Sequence, residues 1–246
     1  MSDDEGRLQE AGEGRRTLAS VTGGRRILRP ILHFVASVLM CSGVLLLVDA
    51  GLTLAWQEPV SAFMAGRDQA QLGNELNGLD KLAQNDKKAV ASEHDVRRRL
   101  AKLARIQSGR DGKGDAVGRL RLPKLHRSYV VVEGTDTDSL RKGPGHYPKT
   151  PLPGEGGTVG VAGHRTTYGA PFRTVDKLKG GDKLVMDMPY GRFTYRVDKV
   201  QIVNPDATWI TDKRKREMLV LSACHPLYSA AKRIVVFSHL ERSEPK

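Results

Sequence analysis

The sequence predicts an all-β globular domain, a compact barrel or sandwich with short helices, carried behind one membrane-spanning helix and a helical stalk. Three observations predict it. Residues 119–246 break into short alternating or β-branched runs separated by Gly and Pro. Pro30–Val48 is a run of 19 residues without Asp, Glu, Lys or Arg. Between the two, apolar residues recur at helical spacing in an otherwise polar segment.

The N-terminal run comes first. As a helix it spans about 28 Å, close to the ~30 Å hydrocarbon core of a bilayer. Asp49 interrupts it, Ala50–Trp56 continues it weakly, and Trp56 suits a membrane interface. Arg15, Arg16, Arg25, Arg26 and Arg29 precede the run, whereas Arg67 is the sole basic residue between Asp49 and Ala70. The positive-inside rule then makes 1–29 a cytoplasmic tail, 30–56 a single-pass signal anchor in the cell membrane, and everything beyond it extracellular. Val48-Asp49-Ala50 is a poor small-x-small cleavage site, and the run exceeds an ordinary signal-peptide core, so the anchor is expected to stay uncleaved.

Residues 57–118 read as stalk and linker. Leu72, Leu76, Leu79 and Ala83, then Val96, Leu100 and Leu103, recur at spacings of three and four. This predicts a helix over 57–105 that lies against the domain. Ser108–Gly118 (SGRDGKGDAVG) has four Gly, alternating charge and no apolar period, and reads as a flexible linker.

The globular part follows over 119–246. Strands are expected at Arg119–Leu122, Tyr129–Val132, Thr158–Ala162, Lys183–Met188, Phe193–Val203, Met218–Ser222 and Arg233–Phe237. Met188-Pro189-Tyr190-Gly191 reads as a hairpin turn, and short helical turns fit Asp138–Lys142 and Pro171–Leu178.

Composition excludes several classes. Two cysteines cannot build a disulfide scaffold or a four-ligand zinc site. Neither common glycine-rich phosphate-binding motif occurs. The chain carries 40 Lys+Arg against 28 Asp+Glu, net +12, and 119–246 alone holds 23 against 13, net +10. A basic domain points to an anionic neighbour. Nucleic acid is not the expected one, because the domain is external and only 5% of residues are aromatic.

The candidate chemistry centres on Cys224. Cys41 lies in the membrane run, so the two cysteines cannot pair, and Cys224 is a lone external thiol. It ends the apolar run Met218–Ala223 and precedes His225-Pro226, which places it at a strand end facing a cleft. The competing reading is a buried, inert Cys. A thiol nucleophile needs a proton carrier. Of the histidines at 33, 94, 126, 146, 164, 225 and 239, His164 also ends an apolar run and opens a loop. His225 adjoins Cys224, and adjacent side chains in extended backbone point to opposite faces. Acyl transfer also needs oxyanion donors. Arg233 opens the last strand nine residues after Cys224; if the two strands are antiparallel neighbours, these residues come side by side. Lys232, its competitor, should face the other way.

The segments LRLPKLHRSYVVVEG, RKGPGHYPKTPLPGEGGTVGVAGHRTTYGAPF and LVLSACHPLYSAAKRIVV, spanning about Arg119 to Leu240, resemble the sortases of Gram-positive surfaces. GPGHYP, AGHRTTYGAPF and CHP…R are most similar to the class E group. The resemblance implies an eight-stranded sortase-type β-barrel and a cysteine transpeptidase, within the thiol peptidases, with Cys224, His164 and Arg233 as its catalytic residues. It implies cleavage of an L-A-x-T-G or L-P-x-T-G signal on surface proteins between Thr and Gly, and transfer to an amine of a cell-wall precursor. No metal or organic cofactor is implied. Ala223 stands where the family often has Thr, and is expected to remove a hydroxyl from the cleft. Two alternatives stand beside this: a non-catalytic, membrane-tethered envelope-binding domain, and a cysteine peptidase that only hydrolyses. A binding module does not need Cys224, His164 and Arg233 together at strand ends.

Overall fold

The structure, a computed structural model, describes residues 24–55 and 59–246. The alternating runs form eight strands: β1 (Ala116–Leu122), β2 (Arg127–Glu133), β3 (Gly145–His146), β4 (Thr158–Ala162), β5 (Lys183–Met188), β6 (Gly191–Val203), β7 (Met218–His225) and β8 (Lys232–Pro245). They close into a barrel in the order β1-β2-β3-β4-β7-β8-β6-β5. The pairs β2–β3 and β4–β7 are parallel and the rest antiparallel. Alternation sends one set of side chains, including Leu120, Val161, Leu184, Leu219, Leu221 and Val236, into a continuous core. The opposite face of β7 and β8 carries a second apolar cluster of Met218, Val220, Val235 and Phe237, joined by Val203 and Ile210.

All seven expected strands form, and the Met188–Gly191 hairpin closes β5 on β6. β3 is additional. The helical turns appear as α4 (Thr137–Lys142) and a 3₁₀ turn at Val175–Lys177. The Gly-rich segment is shorter and more ordered than a flexible linker. β1 begins at Ala116, where Ala116 and Val117 are fully buried. Just before it, the Gly114 amide donates to the Glu133 carbonyl at 2.7 Å, and the Gly112 amide to Asp115 Oδ2 at 2.8 Å.

The N-terminal helix, α1, runs Gly24–Ala55, so the expected start at Pro30 lies inside it. Its segment Arg29–Leu52 has mean hydropathy 2.5 and is long and apolar enough to cross a membrane. Trp56 and residues 1–23, most of the expected tail, lie outside the described residues.

The stalk is two helices rather than one. α2 (Pro59–Ala89) ends before a turn, and Asp95 then caps α3 (Val96–Ser108), accepting from the Arg98 amide at 2.8 Å. The stripe of Leu72 and Leu76 covers Ala116, Val130 and Val132 on β1 and β2. β3 is so short that it pairs only with Val132 and Glu133 of β2. The open edge at Val130 is closed instead by Gln69 of α2, whose amide accepts from Val130 N at 2.7 Å and donates to Val130 O at 3.0 Å. α3 inserts Leu100, Leu103 and Ala104 into the barrel core, and buried Gln107 donates to the Val117 carbonyl at 2.7 Å.

Candidate active site

The site grows from two strand ends. In the antiparallel β7–β8 ladder Cys224 pairs directly with Arg233, and His225 with Lys232. Leu219, Leu221 and Ala223 point into the core. Cys224 has the opposite parity, shared with Met218 and Val220, so it lies on the outer face with Arg233, half-buried. Ala223 is a correction: it is buried in the barrel core, where a hydroxyl would meet apolar neighbours and not the cleft.

His164 reaches the same place by the parallel ladder. β4 and β7 run in phase from Thr158↔Met218 to Ala162↔Ser222, and the Gly163 amide continues the ladder by donating to the Ser222 carbonyl at 3.0 Å. His164 lies two residues past the end of β4, and Cys224 two residues past Ser222 on β7, so both stand at the same end of this ladder. Gly163 makes the turn feasible: a Cβ there would lie 2.6 Å from the Phe172 ring. The loop folds back so that the Phe172 amide donates to the His164 carbonyl at 2.9 Å. Tyr168 and Ala170 within it have φ of 52° and 43°, the left-handed region that side chains disfavour. The Tyr168 ring lies 5.2 Å from that of His164.

The state of His164 suits a proton carrier. Its Nε2 is buried with no hydrogen-bond partner among the described residues, a costly arrangement for a purely structural histidine. Burial first, and the nearby charge of Arg141 second, hold its pKa below the ordinary histidine value, so the ring is neutral at neutral pH. His225 is committed elsewhere. Its Nδ1 faces Arg165 Nη1 at 3.1 Å, and because a guanidinium can only donate, that nitrogen is an acceptor and cannot take a proton without losing the bond.

Arg233 Nη1 donates to the carbonyls of Ala230 and Lys232 at 2.9 and 3.0 Å, and its other nitrogens have no further partner among the described residues. Lys232 has the opposite register parity, though its long side chain reaches Asn204 Oδ1 at 2.7 Å. Arg233 and Ser222 line a groove of about 570 Å³. Its other walls include Tyr147, Thr150, Ile210 and Thr211, the last two in the 3₁₀ turn Thr208–Thr211. Gly160 admits the Tyr147 ring over β4, since a Cβ would lie 2.7 Å from it, and the Tyr147 hydroxyl shares a hydrogen bond with Ser222 Oγ at 2.8 Å.

Sequence reasoning missed Arg165. Its side chain is only 4% exposed. It donates to Asp176 Oδ1 at 2.8 Å and to the Arg173 carbonyl at 3.1 Å, and reaches His225 Nδ1 and, at 3.5 Å, the Cys224 carbonyl. One buried guanidinium therefore ties the His164 loop to the end of β7. An arginine after a loop histidine reads as a surface charge, and no local signal pointed to its burial.

The three residues thus sit at the ends of neighbouring strands of a closed barrel, His164 just past β4, Cys224 on β7 and Arg233 on β8. Residues 120–241 match the family model for the sortase domain. The chain is 40% identical over 128 residues to sortase D of Bacillus subtilis, covering 50% of this chain and 63% of that protein. It is 28% identical over 149 residues to sortase SrtE1 of Streptomyces coelicolor, covering 54% of this chain and 42% of that protein. The solved structure of sortase E from Streptomyces avermitilis matches at 33% identity and a TM-score of 0.51, covering 55% of this chain and 93% of that one. The chain belongs to the sortase family, with class E members among its relatives. It spans less than two thirds of the length of the curated relatives named here.

Proposed function

We propose that this chain is a membrane-anchored cysteine transpeptidase of the cell envelope. The observation that carries the reading is the register that pairs Cys224 with Arg233, with His164 just past the end of β4, the strand that runs beside β7. In this reading His164 takes the thiol proton. Cys224 Sγ attacks the Thr carbonyl carbon of an L-A-x-T-G or L-P-x-T-G-like signal lying in the groove. The free N–H groups of Arg233 hold the developing oxyanion. As the Thr–Gly C–N bond breaks, His164 returns its proton to the departing Gly amine, leaving a thioester on Cys224. An amine of a cell-wall precursor then attacks the thioester, gives its proton to His164 and releases Cys224 as an amide forms. Water in place of the amine gives hydrolysis. No cofactor enters this sequence of steps. α1 anchors the enzyme, with the tail to residue 29 cytoplasmic and the barrel outside, where signal and acceptor both arrive.

The test is mass spectrometry of the full chain in detergent with a short L-A-x-T-G peptide. Without amine, Cys224 should carry the signal truncated after Thr, and a Gly-based or diamino-acid amine should discharge it as a new amide. Cys224→Ala should abolish adduct and product, and His164→Ala should stall adduct formation, whereas His225→Ala should retain much of the activity. Peptide cleavage by Cys224→Ala would overturn the reading, and an adduct that needs His225 but not His164 would reassign the pair.

A further inference from the structure

A second cavity, which the proposed transfer does not use, lies on the outer face of β7 and β8. It encloses about 590 Å³ between Lys199, Trp209, Arg214, Lys215, Arg216 and Phe237, within the usual size range of ligand sites. Its rim is strongly cationic. Lys213, Arg214, Lys215 and Arg216 are consecutive and exposed. Arg216 lies 3.7 Å from Asp198 Oδ2, but Asp198 already binds His239 through its other oxygen at 2.6 Å. Lys213, Arg214 and Lys215 have no ion-pair partner among the described residues. Glu217, next in sequence, turns inward to accept from the Tyr195 hydroxyl at 2.6 Å and from Gly154 N, so it does not neutralise them. Asp198 also lines the cavity and meets Arg216, while the fold leaves the like charges of Arg214 and Lys215 without an ion-pair partner among the described residues.

The floor is aromatic. Trp209 stacks on Phe237 with centroids 5.9 Å apart and planes 6° from parallel. Lys199 Nζ sits 5.3 Å from the centroid of the Phe237 ring. Trp209 remains 41% exposed, so part of the indole stays open to a ligand. A flat apolar surface inside a cationic rim suits a molecule with both a ring and negative charge. A bilayer contact calls for the reverse, apolar side chains projecting past the cations.

We propose that this cavity binds a phosphate-bearing glycan, its phosphates paired with Arg214 and Lys215 and a sugar ring laid against Trp209. The site has a direct link to the signal groove. Trp209 lines the cavity, while Thr208, Ile210 and Thr211 of the same 3₁₀ turn line the groove. A bound glycan therefore touches the turn that walls the proposed peptide site, and does so on the face that carries Cys224. The binding does not require the transfer reaction to be as proposed above.

The experiment is calorimetric titration of the full chain, in a non-ionic polyoxyethylene detergent, with a glycerol-phosphate oligomer bearing N-acetylglucosamine. The bare oligomer is titrated in parallel. Saturable binding of the substituted oligomer is expected. The double variant Arg214→Glu, Lys215→Glu should weaken it about tenfold or more, with peptide cleavage and circular dichroism unchanged. Trp209→Ala should weaken the substituted oligomer more than the bare one. The proposal is overturned by no saturable binding, by binding indifferent to the charge reversal, or by equal losses for both oligomers on Trp209→Ala. Quenching of Trp209 by brominated phosphatidylglycerol in nanodiscs, measured in a Trp56→Phe background, would assign the surface to the membrane and overturn it as well.

Discussion

Asp176 is half exposed, yet its removal should destabilise the chain more than the removal of the buried arginine it pairs with. Arg165 is 4% exposed, and Asp176 Oδ1, at 2.8 Å, is its one anionic partner by ion-pair distance among the described residues. Asp176→Ala leaves a guanidinium buried without its counter-charge. Breaking a buried pair in this way costs about 3–5 kcal/mol, but the 48% exposure of Asp176 lets water screen the charge and brings the expectation to roughly 2–3 kcal/mol. Arg165→Met removes the charge and keeps most of the volume. It forfeits the hydrogen bonds to Arg173 O and His225 Nδ1, each about 1 kcal/mol net, and sends Asp176 to water at little cost. The expected loss is about 1–2 kcal/mol, and in that background Asp176→Ala should cost almost nothing. Urea unfolding of the four chains in this double-mutant cycle measures the coupling, expected at about 2 kcal/mol. Turnover of an L-A-x-T-G peptide checks the positioning role. Because Arg165 ties the His164 loop to β7, Arg165→Met should lower kcat by about 10–100-fold with little change in KM, the scale of a small misplacement of reacting groups. A zero coupling energy, or Arg165→Met proving the costlier single change, would refute this account of the network.

Other outcomes follow from the same structure. Leu100 of α3 is 1% exposed in the barrel core, so Leu100→Ala should cost about 2–5 kcal/mol in urea unfolding; a chain cut before Arg119 should be less stable than one beginning at Pro59, because it loses α3 and the start of β1. Asp111 is pushed up to about 7, by burial first and then by Glu133 and Asp115, against the opposing Gln107 hydrogen bond and the His146 charge. A raised folded-state carboxyl pKa takes stability away as pH rises from about 4 to 7, so Asp111→Asn should raise the Tm at about pH 8 and leave it unchanged near pH 4; a gain at acid pH only would reverse the sign. Burial holds His164 below the ordinary histidine pKa and Arg141 adds to it, so Arg141→Gln should move its NMR titration upward without restoring the ordinary value. Arg233→Ala should lower turnover by about 10²–10³, the scale of one lost oxyanion donor, whereas Lys232→Ala should stay within a few-fold; the reverse ranking would place the wrong residue of β8 at the thiol.

What the residues disclosed on their own was whatever obeyed a local period. The strands of the barrel were legible because β-branched alternation repeats every two residues, and the pairing of Cys224 with Arg233 was legible because a short connection between antiparallel strands fixes their register. β3 was not, since Gly145-His146 is too short to hold any period and exists because β2 and β4 supply its partners. The start of β1 hid in the same way: Ala116 and Val117 sit in Gly- and Asp-rich text, and only the packing of α2 and the core reveals them as interior. The stalk's apolar spacing resumes after the break at Val90–Asp95, so spacing alone made one helix of two, although Asp95 ahead of Val96 carried a cap signal. Alternation, applied to exclude His225, applies equally to Ala223. The rule that turns His225 away from Cys224 also turns Ala223 into the core, and the hydroxyl expected in the cleft belongs on the other side of the strand. Arg165 marks where such rules end. Its four partners come from two segments, Arg173 and Asp176 after the loop and Cys224 and His225 on β7. A charge that local text assigns to the surface becomes interior only once β4 and β7 run side by side. The residues holding the thiol and the imidazole in register are thus less visible in sequence than those proposed to react, because reactive side chains are distinctive by type and positioning ones only by contact.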